Sequence, residues 1–202
     1  MLGHQAFTIV ALGAVAAAIV GSSAAAGDLE SGVYRDIVLS GRSRVALYLS
    51  RIPAGQLFLV PFVALAYAAE AAVSVGLAGS HPDPSAYLLT VTGLWVLLKV
   101  VFYYLIAFGI ACLVSSRSYT IGIVLAWTLA VTPLLASIAV LGRARELVPG
   151  VALDNLMPAA LGSSARQGPV IAMSMAAIVT VLVAWAAAAL AAGVLRDTTR
   201  DA

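Results

Sequence analysis

AYLLTVTGLWVLLKVVFYYLIAFGIACLV, residues 86–114, decides the fold. It is apolar from end to end except for Lys99, the only lysine in the chain. A transmembrane helix needs about 20 mostly apolar residues, and this run exceeds that. Its length and its lack of period-2 alternation exclude a barrel strand. Four further runs of the same kind lie at 5–26, 52–79, 119–141 and 169–195. The 202 residues are 62% hydrophobic and 10% charged, with a mean hydropathy of +1.05. Soluble domains carry roughly 25% charged residues. The expected class is therefore all-α: a polytopic transmembrane helical bundle of about five spans, forming one domain over 1–202.

The first run imitates a secretory signal, with Ala24-Ala25-Ala26 as a small-residue cleavage site, yet no Lys or Arg precedes Arg35. Cytoplasmic loops carry the excess of Lys and Arg. With five spans and loop 27–51 inside, the inside holds Arg35, Arg42, Arg44, Arg51, Arg117, Arg196 and Arg200, and the outside holds Arg143, Arg145 and Arg166. Cleaving the first run would invert that tally. The first run is therefore read as a span, which puts the C-terminus in the cytoplasm and Met1 outside. An even number of spans would insert more simply, so a further helix upstream of Met1 is expected.

Gly13 with Ala17 and Ala14 with Ala18 in the first run form small-residue pairs that allow close helix approach, and Ala184, Ala188 and Ala192 make a smooth ridge on the last. Pro53 opens the second run, in a first helical turn where proline is tolerated. Pro133 predicts a kink in the fourth. Residues 142–168, GRARELVPGVALDNLMPAALGSSARQG, are too apolar for a free loop. Val151, Leu156, Met157 and Leu161 predict a short amphipathic helix broken by Pro158 and laid against the outer membrane face. Cys112 reads as a packing residue inside a span. His4 and His81 stand alone near helix ends, and no cluster of His, Cys, Asp and Glu has metal-ligand spacing.

Charge is concentrated in GDLESGVYRDIVLSGRSR, residues 27–44. On a helix over 28–38, Leu29, Val33 and Ile37, with Tyr34 and Val38 alongside, form one apolar stripe. Glu30, Arg35 and Asp36 lie away from it. An interfacial cytoplasmic helix follows, broken at Gly41. Arg42, Arg44 and Arg51 stand within reach of lipid phosphates. A membrane-surface linker accounts for the bases. The acids Asp28, Glu30 and Asp36 gain nothing from anionic lipid, and mixed signs suit a protein partner.

This order of features resembles the ABC-2 type permease family, the membrane subunits of many bacterial ABC exporters. The resemblance rests on Asp28, Glu30, Gly32 and Arg35 after a span, on the turn Gly41-Arg42-Ser43-Arg44, and on the long external segment before the last span. Gly41 stands where the family often has proline. The resemblance implies that 28–44, with Tyr34 and Asp36 included, is a coupling helix that contacts a separate ABC ATPase. It implies a second permease chain, as homo- or heterodimer, and a plasma-membrane location. It also implies six spans, of which this chain lacks the first. The sequence has no G-x-x-x-x-G-K-[ST] motif, so ATP and magnesium belong to the partner subunit and this chain holds no cofactor. No catalytic set is visible, and no nucleic-acid partner is expected. A scaffold or assembly subunit in the membrane is the alternative.

Glu70 and Lys99 are the charges inside spans, and such groups are functional candidates by default. Glu70 lies nine residues from Gly79, roughly 14 Å at the helical rise, and Lys99 thirteen residues from Ala86, roughly 20 Å. That places them about one turn apart in depth and predicts a Glu70–Lys99 pair, serving either helix register or a substrate path. Trp95, Tyr103, Tyr104 and Phe108 would line such a path or pack.

Overall fold

A computed structural model describes residues 2–30, 43–76, 84–162 and 169–199. All regular structure among them is helical: α1 (Leu2–Glu30), α2 (Arg44–Gly76), α3 (Ala86–Val114), α4 (Arg117–Ser137), the short α5 (Pro149–Asn155) and α6 (Met175–Thr199). Five of these helices, all but α5, are long and apolar enough to cross a membrane. The chain is a multi-pass membrane protein with an all-α bundle.

α3 is the centre of the bundle, with 61% of its most apolar window buried, against 11% for α2. A helix that is hydrophobic all round is a core helix. Val96, Val100, Tyr104, Ala107, Phe108 and Ala111 of α3 are fully enclosed. α2 instead presents Leu57, Phe58, Phe62 and Leu65 outward, where hydrocarbon solvates them.

Lipid tails are as apolar as leucine, so close van der Waals packing of small residues holds such helices together. Ala14, Ala17 and Ala18 of α1 are buried as the small-residue pairs predict. A Cβ on Gly13 would lie 2.6 Å from Val100 Cγ2. On the other side of α3, a Cβ on Gly109 would lie 2.5 Å from the Ala189 carbonyl oxygen of α6. The expected Ala ridge does not make this contact: Ala184 and Ala188 are exposed, and Leu182, Ala186, Leu190 and Val194 pack inward. Periodicity alone does not say which of two small faces meets a neighbour.

Three boundaries differ from the sequence reading. α2 starts at Arg44, so Pro53 lies inside it rather than in its first turn. Beside that proline the Tyr104 hydroxyl donates to the Arg51 and Ile52 carbonyls, both at 3.1 Å. Near Pro133, α4 widens into a π-helix at Trp127–Val131, which absorbs the backbone disruption expected as a kink. α6 begins at Met175 rather than at 169. Ser115 ends α3 in the left-handed conformation (φ 61°), donating its N–H to the Ala111 carbonyl at 2.8 Å. The resulting tight turn makes α3 and α4 antiparallel neighbours.

The connection from α4 to α6 departs furthest from expectation. It contains a 3₁₀ stretch at Ala139–Leu147, then α5, then a 3₁₀ turn at Ala159–Leu161. It does not lie flat on a membrane face. Val151, Ala152, Leu153 and Asp154 are buried in the bundle, and Pro149 reaches the level of Tyr103 and Thr128. The segment folds back into the bundle, against α3 and α6.

Candidate functional site: a buried ion pair on a re-entrant segment

Lys99 stands at the middle of α3, about 20 Å from Ala86 at the helical rise. Its Nζ lies 2.6 Å from Asp154 Oδ1, and the two side chains are 3% and 11% exposed. An unpaired charge at this depth costs about 2.5–3.5 kcal/mol on insertion scales. Asp154 is carried to it by α5, a helix of seven residues.

Two indole donors hold this segment. Trp95, one turn before Lys99, places its ring 4.7 Å from the ammonium. Its Nε1 donates to the Leu153 carbonyl at 2.8 Å. Trp185 of α6 donates from Nε1 to the Leu147 carbonyl at 2.9 Å. Irregular backbone at membrane depth is tolerated only where protein satisfies its polar groups. Near the end of α5 the Leu153 carbonyl accepts from both the Leu156 N–H at 3.2 Å and the indole of Trp95. Asn155 Nδ2 caps the Val151 carbonyl at 2.9 Å. At the other end Arg145 binds the Gly142 and Ala136 carbonyls, tying the 3₁₀ stretch to the end of α4.

The predicted Glu70–Lys99 pair does not form. Tyr67 fixes the register of α2 on α3, donating to the Leu89 carbonyl at 2.6 Å while its ring packs on Gly93. From that level Glu70 is three residues toward one end of the bundle and Lys99 six residues toward the other. The rise separates them by about 13 Å. A side chain locked on the neighbouring helix sets the register, and here that is Tyr67; Gly79 lies outside the described residues. Glu70 sits near the α2–α3 end of the bundle, half-buried, with Oε2 unbonded among the described residues.

Trp95, Tyr103, Tyr104 and Phe108 are all buried. Phe108 stacks with Tyr104 at 6.1 Å and meets Tyr48 edge-on at 5.0 Å between ring centroids. Tyr104 and Phe108 pack in the core, Trp95 bonds the connection, and Tyr103 lines a cavity between α3 and α4. Cys112 is buried in the core, as expected of a packing residue.

Of the charged segment, Gly32, Tyr34, Arg35, Asp36, Gly41 and Arg42 lie outside the described residues, as does His81. α1 runs on without a break to Glu30. Asp28 and Glu30 thus belong to the last turn of the first span's helix instead of opening a separate one. Arg44 is the first residue of α2.

Asp154 was missed in the sequence because it stands in a connection between spans. Its signal was a single acid in VPGVALDNLMPAAL, a stretch already too apolar for a loop. Among the described residues, no group of three or more His, Cys, Asp and Glu is placed to hold a metal. The arrangement is a buried charge pair that ties α5 to the middle of α3. A scan against protein-family models, a search of curated proteins and a search of solved structures give no match to this chain.

Proposed function

We propose that the chain is the membrane-spanning permease subunit of an ATP-driven exporter of the ABC-2 type. The observation that carries this reading is the Lys99–Asp154 pair on the re-entrant connection. Placing two charges at mid-depth is costly for each of them, and a scaffold needs them only for helix register. A transporter gains an element that closes the bundle and can be withdrawn as a unit, with the energy supplied from outside. The sequence encodes no phosphate-binding loop, so a separate ATPase subunit carries ATP and magnesium. The charged segment 28–44 is its docking site, and a second permease chain completes the transporter. By the distribution of arginines the C-terminus is cytoplasmic and the α4–α6 connection faces outward; the resemblance to the ABC-2 type family implies the plasma membrane.

The test is co-purification in detergent with any ABC ATPase found encoded beside this chain, comparing wild type with Glu30→Ala/Arg35→Ala. Retention by the wild type and loss by an inserted variant is expected. If neither wild type nor a chain extended upstream of Met1 retains an ATPase, the exporter reading fails and a membrane scaffold is left.

A further inference from the structure

Directly beyond the ion pair, between α3, α4 and α6, lies a cavity of about 80 Å³. Its walls include Phe102, Tyr103, Ile123, Trp127, Pro149 and Trp185. Ile123 and Trp185 are 45% and 39% exposed, so the mouth opens sideways between α4 and α6. Three features set it apart from an ordinary packing defect. One wall is the π-helix at Trp127–Val131, a deviation common at functional sites. Trp127 and Trp185 meet at 5.6 Å between centroids in the middle of their helices, whereas span tryptophans concentrate at the interfaces. Finally, the Trp185 indole N–H is already spent on Leu147, so the ring offers the mouth an apolar face.

The depth and the lining restrict the occupant. At mid-span only hydrocarbon is at hand, and the walls offer it an apolar lining. An engineered cavity of about 150 Å³ admits benzene; one of roughly half that volume takes the end of a chain and not a ring. We infer that this cavity binds the terminal carbons of an unbranched alkyl chain belonging to the transported molecule, which enters sideways between α4 and α6. The inference rests on the exporter reading and assigns it a single-chain, lipid-like substrate class. Pro149 links the site to the re-entrant segment, so the chain end touches the same element that Asp154 pins.

The three tryptophans of the chain make the test direct. The purified full chain in unbrominated detergent is titrated with a long n-alkyl alcohol carrying bromine on its last carbon. Tryptophan quenching should saturate. Val124→Phe, which fills the cavity, should weaken it by roughly fifty-fold, the factor for keeping about three methylenes out of an apolar site. Thr128→Leu is a milder filling variant should the first fail to fold, and should act in the same direction. A brominated cyclohexyl alcohol should quench without saturation. Quenching that rises linearly and is equal in the filled variants would mean surface contact alone and would overturn the inference. So would equal saturation by the ring probe. Reversal by diacyl phospholipid as readily as by single-chain alcohol would make this a resident-lipid site and sink the substrate assignment. ATPase capture is read separately: saturable quenching without capture removes the exporter reading and leaves an alkyl site, whereas capture without saturation removes the site alone.

Discussion

Lys99 and Asp154 are 55 positions apart and belong to a span and a connection, yet their Nζ and Oδ1 atoms meet at 2.6 Å inside the bundle. Breaking a buried pair by removing one partner costs about 3–5 kcal/mol, while replacing both with apolar residues of like volume is often neutral or stabilising by 1–4 kcal/mol. Lys99→Met and Asp154→Asn should each lower the unfolding midpoint of the protein in detergent steeply. Lys99→Met/Asp154→Leu should restore it. A double variant as unstable as the sum of the singles would show that the pair is not one unit.

Glu70 predicts the opposite behaviour. It stands about 13 Å from Lys99 by the helical rise, and Oε2 makes no hydrogen bond among the described residues. Glu70→Gln removes a charge from a half-buried carboxylate whose Oε2 has no such bond, so it should leave stability unchanged or raise it. Its coupling to Lys99→Met in a double-mutant cycle should be indistinguishable from zero. A coupling above about 1 kcal/mol would mean that the two residues touch.

Trp95 acts on backbone rather than on charge alone, since its indole donates to the Leu153 carbonyl at 2.8 Å. Trp95→Phe keeps a ring near the ammonium but removes the donor. Leaving a buried acceptor short of a partner costs about 1–3 kcal/mol. Leu156 still donates to the same oxygen at 3.2 Å, which favours the low end. Amide hydrogen exchange should rise over 149–156 before it rises in α1 or α3. Uniform acceleration across the bundle would contradict a local clamp.

Gly109 sets the distance between α3 and α6. In an isolated helix glycine to alanine is favourable by about 1 kcal/mol. Here the added Cβ would come to 2.5 Å from the Ala189 carbonyl oxygen, a backbone atom that cannot swing aside. Gly109→Ala should therefore destabilise, and Gly109→Leu should do so more. A stabilised alanine variant, measured by thermal unfolding in detergent, would show that the helices separate freely.

Apolar length is a local property, so the sequence by itself determined the class, the five spans and most of their extents. The buried character of α3 followed from an apolar run with no polar face, and the burial of Ala14 and Ala17 from their small-residue spacing. What the tertiary structure decided is who meets whom. Lys99 announced itself as a charge in hydrocarbon, but two acids at different places in the chain could have answered it. The Tyr67 contact with Leu89 and Gly93 set a register that carried Glu70 away. The backbone of 139–161 folded inward because two indoles could satisfy its carbonyls, and that brought Asp154 to mid-depth. Partner choice depends on register and on the hydrogen-bonding needs of irregular backbone, which arise only when the helices are packed together.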